Sequence, residues 1–297
     1  MDKLFKILEN NKIDYQKLKE ESIIDLLDDG EYYINIIVGF RGRTEFVEPL
    51  VESFKEAIKY YSNIDNDKKI CLTFVEHDDK PNHIELLKNN VNYIWSRGNV
   101  SEFYNRSFTY NFGVKYSNKA KYYILHDLDI LVKPNYIEEI VNNLNNDTVD
   151  CMQSYGNRHV WYLTKDLTNR FLNKEISITE LDVKRHDINP PNLTGSKGGS
   201  ILISRDLFNK VGGFDPELFW GYAAEDQMFW SKIESISQIH YADNPTVNIF
   251  HMWHPPTHTT NPNTPTMDGY FLYYNNMNLQ DKLKFLDSKI KLYETNS

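Results

Sequence analysis

Two aspartates one residue apart, Asp127 and Asp129, closely follow an apolar run at residues 122–125. In an extended segment, residues i and i+2 project to the same side, so both carboxylates can face one site while Leu128 turns into the core. Hard oxygen ligands suit Mg²⁺ or Mn²⁺, which proteins usually share with substrate phosphates. The spacing indicates a site for a cation and a diphosphate, although the pattern alone would favour a solvated turn.

Two histidines, His251 and His254, lie three residues apart at the end of another predicted strand. A single buried histidine is usually structural, but two at this spacing favour metal ligation about as much as a structural role. A mixed shell of aspartate and histidine favours Mn²⁺ over Mg²⁺. Asp129, His251 and His254 are therefore the candidate metal ligands.

Adjacent carboxylates, Glu225 and Asp226, follow an aromatic, glycine-containing loop that includes Trp220 and Tyr222. Negative charge at the start of a helix caps free N–H groups and complements the helix dipole, which is a purely structural explanation. Aromatic rings can also form a wall for a sugar, and a carboxylate held beside them can deprotonate a hydroxyl as a general base. The segment is a candidate region for acceptor binding and catalysis.

Three arginines and an aspartate lie near the ends of the first predicted strands. Arg41 and Arg43 follow the first strand, and their planar guanidinium groups could serve a pyrimidine edge or a diphosphate, or simply contact solvent. Arg106 precedes the acidic strand and adds a donor near the same edge. Asp78, after the second strand, could accept a ribose hydroxyl, although a turn is equally compatible with it.

Strands and helices alternate along the part of the chain that carries these residues. Apolar runs predict strands at 32–40, 70–75, 92–95 and 122–125, and later near 151–153, 198–204 and 246–251. Helical patterns fall between them, and a closing helical region is predicted at 268–291. This order predicts an α/β fold with a mostly parallel sheet, whose ligands lie at the carboxyl ends of the strands. Residues 155–193 are polar and irregular, which suits either a lid or acceptor wall or a plain surface excursion.

The composition restricts the class of protein. With 297 residues, 40% of them hydrophobic and 14% aromatic, the chain suits one globular domain. The net charge of −9 with scattered acidic residues argues against a nucleic-acid partner. No apolar stretch of about 18 residues and no signal-peptide pattern is present, so we expect a cytoplasmic protein without a transmembrane segment. Cys71 and Cys151 are too few for a disulfide framework and are expected to be buried thiols.

The motifs taken in order resemble those of the β-1,4-galactosyltransferase family. They also resemble the catalytic domains of polypeptide N-acetylgalactosaminyltransferases and of bacterial chondroitin-type polymerases. The resemblance covers about residues 34–254. It is carried by Phe40-Arg41-Gly42-Arg43, Asn105-Arg106, Asn111-Phe112-Gly113, Asp127-Leu128-Asp129, Lys197-Gly198-Gly199, Gly212-Gly213-Phe214-Asp215 and Trp220-Gly221-Tyr222-Ala223-Ala224-Glu225-Asp226.

The resemblance implies a GT-A fold, which is a Rossmann-like α/β fold with a mostly parallel central sheet flanked by helices in a single catalytic domain. It also implies a UDP-sugar donor, Mn²⁺ with Mg²⁺ as the second candidate, and inversion at the anomeric carbon. The implied domain comprises residues 31–260, with a nucleotide-binding half at 31–133 and an acceptor and catalytic half at 134–260. Residues 1–30 are expected to be a helical appendage, and 261–297 a C-terminal helical extension.

Local chemistry and resemblance together define the candidate site. The expected metal ligands are Asp129 and His254, with His251 at a position where galactosyltransferases use methionine. Asp226 is the expected general base, with Glu225 beside it. The nucleotide-sugar contacts are expected to be Phe40, Arg41, Arg43, Asp78, Arg106, Asp127, Gly199 and Tyr222. The acceptor contacts are expected to be Trp220, Tyr222 and Glu225.

Some residues depart from the family pattern and leave several hypotheses open. Ala223 and Ala224 replace two glycines, and Ser196 and Lys197 replace aromatic residues near the donor sugar. The sugar could therefore be of the galactose, N-acetylgalactosamine or glucose type, and the acceptor a glycan or glycoconjugate. A lipid-linked acceptor would bring the protein to a membrane surface. A catalytically silent sugar-nucleotide or glycan-binding module and a metal hydrolase are the two competing classes of function.

Overall fold

The computed structural model describes residues 2–99, 102–144, 147–153, 160–181, 198–221, 223–241, 249–255 and 261–294. The strands are β1 (Ile23–Asp25), β2 (Tyr32–Phe40), β3 (Ile70–Asp78), β4 (Asn92–Arg97), β5 (Ala120–Asp127), β6 (Ile130–Val132), β7 (Cys151–Gln153), β8 (Val160–Tyr162), β9 (Ser200–Ser204), β10 (His240–Tyr241) and β11 (Ile249–His251). The helices are α1 (Asp2–Asn10), α2 (Tyr15–Glu20), α3 (Thr44–Ser62), α4 (Ile84–Leu87), α5 (Arg106–Tyr116), α6 (Tyr136–Asn143), α7 (Lys165–Leu172), α8 (Arg205–Lys210), α9 (Glu225–Glu234), α10 (Thr264–Asn275) and α11 (Leu279–Glu294). Among these helices, none combines the length and the apolar character needed to cross a bilayer.

The central sheet has the strand order β1-β4-β3-β2-β5-β9-β7-β10. Strands β4, β3, β2 and β5 run parallel, and β9 lies antiparallel between β5 and β7. The predicted mostly parallel sheet is confirmed. Gly39 in β2 is level with Val75 in β3 and with Asp127 in β5, so these three strands end at one edge of the sheet. The residues that follow them therefore meet at that edge.

Alternating side chains of the parallel strands enter two different hydrophobic cores. Ile36 and Val38 of β2 join the core that contains Phe54 of α3, whereas Ile37 joins the core that contains Phe112 of α5. Because helices cover both faces, the strand is apolar at nearly every position instead of alternating with polar residues. This continuous apolar character makes the strand recognisable in the sequence.

A small second sheet, with the order β6-β11-β8, brings together two segments that are far apart in sequence. His251 in β11 pairs with Ile130 in β6 and with Tyr162 in β8. The Met252 N–H donates a hydrogen bond to the Asp129 carbonyl at 2.8 Å. This pairing places the end of β11 directly beside the turn that carries Asp129.

The structure corrects the sequence-based prediction in two places. Residues 23–25 fall in the predicted helical appendage, but they form strand β1, which pairs antiparallel with β4. The β-branched Ile23 and Ile24 favour a strand once a sheet edge is available. Within the segment predicted to be irregular, 155–193, the structure has strand β8 and helix α7. Strand β8 depends on its distant partner β11, so local periodicity does not reveal it; residues 246–248 of the strand predicted at 246–251 lie outside the described residues.

The two ends of the chain pack together against the loop that precedes α9. Leu4 and Leu8 of α1, Met267 of α10 and Phe285 of α11 share one hydrophobic cluster with Phe219. The terminal helices therefore support the loop expected to bind the acceptor. The boundaries at residues 30 and 260 stay a prediction.

Four buried charges join α11 to the segment before that loop. Lys289 contacts Glu217 at 2.6 Å and lies 3.7 Å from Asp215, which contacts Lys232 at 2.7 Å. All four side chains are at most 2% exposed. Two positive and two negative groups balance each other, so removal of one leaves a buried charge without compensation.

Lys289→Met is expected to lower the free energy of unfolding by about 3–5 kcal/mol, because Glu217 loses its buried partner. The measurement is the urea midpoint of the purified variant. Lys284→Met on the same helix is the matched control, since Lys284 makes a surface ion pair with Asp281 at 3.6 Å, a kind of pair that contributes about 0–1 kcal/mol. Equal midpoints for the two variants would contradict a structural role for the buried cluster.

The two cysteines are free and buried, as predicted. Burial raises the pKa of both the Cys71 and the Cys151 thiol well above the ordinary value. Both side chains therefore remain protonated thiols that pack as small apolar groups.

Candidate functional site

Three possible metal ligands converge at the carboxyl edge of the central sheet. Asp129 lies in the turn between β5 and β6, His251 ends β11, and His254 follows three residues later. One ligand atom from each lies within 4.8 Å of the others. His254 Nε2 is 3.1 Å from Asp129 Oδ2, and His251 Nε2 is 3.8 Å from Asp129 Oδ1. One carboxylate and two imidazoles form a suitable ligand set for a divalent transition-metal ion.

The orientation of both histidines is fixed by neighbouring groups. The Pro255 carbonyl lies 2.9 Å from His254 Nδ1 and can only accept, so Nδ1 carries the proton. The hydrogen bond of Nε2 with the Asp129 carboxylate raises the pKa of His254. When the ring loses the Nε2 proton, the lone pair of that nitrogen faces the site and can bind a metal ion. The ring of His251 stacks on Tyr162 of β8, with centroids 4.5 Å apart and an interplanar angle of 26°. The ligand geometry is therefore partly set in advance.

Asp129 is an ionised carboxylate. Burial alone would raise its pKa, but His251, His254 and Arg43 around it have the larger combined effect and hold the pKa well below its usual range. The nearby Arg43 donates a hydrogen bond from Nη1 to Asp129 Oδ2. Asp129 therefore presents a negative charge to His251, His254 and Arg43.

Arg41 is held by main-chain carbonyl groups. Its Nε donates to the His77 carbonyl at 2.9 Å and its Nη1 to the Glu102 carbonyl at 2.8 Å. Its guanidinium also lies 5.8 Å from the centre of the Tyr104 ring. Arg41 therefore connects the end of β3 with the segment before α5, at the edge where the nucleotide is expected.

The structure does not expose two of the expected nucleotide contacts. Phe40 is 2% exposed and packs against Phe74 and His83, because the last position of β2 still faces the core. Its side chain is therefore part of the core, and the expected contact of Phe40 with the nucleotide stays a prediction. Asp78 accepts hydrogen bonds from the Asp79 N–H at 2.8 Å and from Asn82 Nδ2 at 3.3 Å, as a turn-forming aspartate does.

Arg106 connects the D-x-D segment with the carboxylate pair of α9. Its Nε contacts Asp127 Oδ1 at 2.6 Å, and its Nη1 contacts Asp226 Oδ1 at 2.5 Å and lies 3.5 Å from Glu225 Oε1. Tyr110, one turn further along α5, donates its hydroxyl to Asp127 Oδ1 at 2.8 Å and places its ring 5.0 Å from the guanidinium. A single arginine thus bridges the aspartate expected to contact the nucleotide, Asp127, and the aspartate expected to be the base, Asp226.

Burial dominates the electrostatics of the carboxylate pair. Burial, and then the charge of Asp226, raise the pKa of Glu225 to about 8, with Arg106 opposing them. Burial also raises the pKa of Asp226, again against Arg106. Because Asp226 is the closer partner of the guanidinium, Asp226 is the member that keeps the negative charge while Glu225 holds a proton.

Two polar atoms in this cluster have no hydrogen-bond partner among the described residues. They are Arg106 Nη2, a donor, and Glu225 Oε2, an oxygen, and both are buried. Buried polar groups are nearly always paired in proteins, so each of these atoms indicates a position for a polar ligand group or a water molecule.

Gly198 and Gly199 let the main chain pass close to two acidic residues, Asp226 and Asp127. The Gly199 carbonyl accepts a hydrogen bond from the Asp127 N–H at 2.9 Å, and Gly199 has φ of +94°. A Cβ atom at Gly198 would overlap with Asp226 Oδ2. A side chain at either position would therefore displace the chain or the carboxylate.

The loop expected to bind the acceptor is anchored on both sides. The Gly221 N–H donates to the Tyr104 carbonyl at 2.8 Å, and Asn261 Nδ2 donates to the Trp220 carbonyl at 2.7 Å. Trp220 itself is half-buried. Tyr222, expected to contact both donor and acceptor, lies outside the described residues, as do Ser196 and Lys197.

Three residues at the site are not anticipated from the sequence. Tyr110 could have been found, because it lies one helical turn after Arg106 and must share its face. Tyr162 and Asn261 give no local signal, since their partners are about 90 and 40 residues away in the chain.

Glu225→Gln is expected to stabilise the ligand-free protein at pH 8 by about 1–3 kcal/mol and to leave its stability at pH 4.5 almost unchanged. A carboxyl whose pKa rises from 4.5 to about 8 on folding binds more protons in the folded than in the unfolded state over that interval. The contribution of Glu225 to the free energy of unfolding therefore falls as the pH rises from 4.5 to about 8. Urea unfolding at both pH values, with exposed Glu234→Gln of the same helix as control, measures the effect. If Glu225→Gln stabilised the protein at pH 8 no more than Glu234→Gln does, or destabilised it, a buried and protonated Glu225 would be contradicted.

Comparison with known proteins identifies the class of fold. No protein-family model matches the sequence, and no curated protein matches it. Solved glycosyltransferase structures, however, superpose on most of the chain, which has the GT-A glycosyltransferase fold. The predicted fold class is thereby confirmed.

Three of these solved structures show the extent of the similarity. The catalytic domain of Drosophila β1,4-galactosyltransferase 7 in complex with xylobiose has a TM-score of 0.50 and 15% identity, covering 80% of this chain and 79% of its own. GalNAc-T7 with UDP, GalNAc and Mn²⁺ has a TM-score of 0.53 and 14% identity, covering 86% of this chain and 55% of its own. TarS 1–349 of S. aureus has a TM-score of 0.51 and 12% identity, covering 89% of this chain and 72% of its own.

Proposed function

We propose that this chain is a metal-dependent glycosyltransferase that moves a hexose from a UDP-sugar to a hydroxyl of a glycan or glycoconjugate, with inversion. The observation that carries the proposal is the connection made by Arg106. Through it, the candidate base Asp226 lies next to the segment whose Asp129 meets His251 and His254. A base and a metal-ligand cluster at one strand edge can together activate an acceptor hydroxyl and neutralise a leaving diphosphate.

The ligand set fits Mn²⁺, with Mg²⁺ as the second candidate, because it combines carboxylate oxygen with imidazole nitrogen. Asp129, His251 and His254 would hold the ion, and the bound ion would neutralise charge on the leaving diphosphate. Two similar structures support this choice: GalNAc-T7 contains UDP, GalNAc and Mn²⁺, and a variant of Drosophila β1,4-galactosyltransferase 7 contains manganese, UDP-Gal and xylobiose.

Asp226 is the proposed general base. As the acceptor oxygen forms its bond to the anomeric carbon, Asp226 takes the hydroxyl proton, and the bond to the diphosphate oxygen breaks so that UDP leaves. Glu225, which holds a proton, can donate a hydrogen bond to a sugar hydroxyl. Arg41 and Arg43 follow the end of β2, where they can offer donors to the nucleotide.

The remaining assignments carry over the expectations from the sequence. Trp220 and Tyr222 are proposed to line the acceptor site, and Gly199 to let the main chain approach the donor sugar. The sugar is proposed to be of the galactose, N-acetylgalactosamine or glucose type. A cytoplasmic location and contact with a membrane through a lipid-linked acceptor stay predictions.

A nucleotide-binding titration tests the donor class. Calorimetry with UDP, GDP and CDP, each with Mn²⁺ or with a chelator, is expected to show binding of UDP that depends on Mn²⁺ and exceeds that of the other two nucleotides. Binding of UDP that is unaffected by the chelator would contradict the proposed role of the metal. Equal binding of the three nucleotides would contradict the proposed donor.

The stereochemistry is tested on the product. An α-linked UDP-sugar is expected to give a β-linked product, because Asp226 activates the acceptor for attack on the face opposite the diphosphate. The anomeric proton coupling in the NMR spectrum of the product distinguishes the two configurations. An α-linked product would contradict inversion while leaving the transferase assignment intact.

A further inference from the structure

The backbone before α3 directs Arg43 toward the metal-ligand cluster. Gly42 and Arg43 have φ values of +61° and +50°, so two successive residues adopt the left-handed conformation. That conformation is unfavourable for a side chain as large as arginine, and such exceptions concentrate at functional positions. Arg43 occupies the N-cap position of α3 without capping it by a side-chain hydrogen bond. Its side chain instead reaches Asp129.

Arg43 and a metal ion would compete for the same oxygen. Arg43 Nη1 donates to Asp129 Oδ2, the atom that also lies 3.1 Å from His254 Nε2. The side chain of Arg43 is 31% exposed and that of Asp129 is 7% exposed. The carboxylate is thus fixed and buried, whereas the guanidinium reaches it from the surface and can leave without disrupting the core.

We propose that Arg43 neutralises Asp129 when no metal is bound, and that a nucleoside diphosphate draws this guanidinium away and so makes Asp129 available as a ligand. This proposal rests on the proposed function, because it takes Asp129 as a metal ligand. A diphosphate offers Arg43 two acceptor oxygens in the planar arrangement that a guanidinium prefers. Metal and diphosphate therefore favour each other's binding through Arg43, and by linkage the effect is reciprocal.

Mn²⁺ titration of the full chain, followed by the EPR signal of free Mn²⁺, tests the proposal with and without UDP. Arg43→Asn removes the guanidinium and should fold, because asparagine adopts the left-handed conformation readily. Without UDP, the variant is expected to bind Mn²⁺ about tenfold more tightly than the wild type, as one charge-assisted hydrogen bond no longer competes. The gain in Mn²⁺ affinity on adding UDP should shrink by a similar factor.

Arg41→Asn is the matched control, since it removes the same charge two residues away while Arg41 contacts the His77 and Glu102 carbonyls and not Asp129. It is expected to change Mn²⁺ affinity without UDP by less than about threefold, because a charge that does not contact Asp129 acts on the ion only through screened electrostatics. Unchanged or weaker Mn²⁺ binding by Arg43→Asn, or an equal gain in both variants, would overturn the proposal for Arg43. Absence of Mn²⁺ binding by the wild type even with UDP would instead overturn the metal site itself.

Discussion

Asp226→Asn is expected to reduce sugar transfer by about 10²–10⁴-fold while the protein still binds UDP and Mn²⁺. Asparagine keeps the size of the side chain and can still accept a hydrogen bond from Arg106, but it cannot take a proton from the acceptor. The expected loss therefore appears in kcat. UDP release under saturating donor gives kcat, and calorimetry gives the two binding constants.

The matched control for this variant is Asp206→Asn, which changes an exposed aspartate in the first turn of α8. It is expected to keep both turnover and binding at wild-type values. Turnover by Asp226→Asn within about tenfold of the wild type would assign the base to another residue. A parallel loss of UDP binding would show instead that Asp226 acts by holding Arg106 in place.

Asp129→Asn is expected to weaken Mn²⁺ binding by at least about 100-fold and to remove the Mn²⁺ dependence of UDP binding. Asp129 supplies the carboxylate of the three-residue cluster, and a neutral amide is a much weaker ligand for a divalent ion. Titration of Mn²⁺ in the presence of UDP measures the change.

Asp127→Asn provides a control within the same motif, because Asp127 contacts Arg106 and Tyr110 and not the histidines. It is expected to weaken Mn²⁺ binding less than about tenfold. A larger effect of Asp127→Asn than of Asp129→Asn would reverse the roles of the two aspartates.

The parallel part of the fold is predictable from local sequence, because strands covered on both faces are apolar at nearly every position. Strands β2, β3 and β5 are recognisable for this reason, and the candidate ligands lie at the expected edge. Strands β1 and β8 are not, because each is short and forms only against a partner that is distant in sequence. For β8 that partner is β11, more than 80 residues away.

The types of site residue are also predictable, but their pairing is not. Asp129, His251 and His254 do come together in the structure, as their positions at strand ends suggest. Nothing in the local sequence indicates that Arg106 contacts Asp226 as well as Asp127, since this contact depends on the first residues of α5 and α9 meeting in the fold. The sequence also does not reveal that Phe40, a motif residue adjacent to the ligand edge, has its side chain in the core.

The most direct test of the proposed activity is UDP release from a panel of UDP-sugars, measured with Mn²⁺ and with a chelator in the presence of glycan acceptors. We expect one hexose donor to give acceptor-stimulated UDP release that requires Mn²⁺ and is lost in Asp226→Asn. Binding of UDP-sugars without any UDP release would identify a silent binding module. Release of product from glycans without a nucleotide donor would identify a hydrolase, and either result would contradict the proposed transferase.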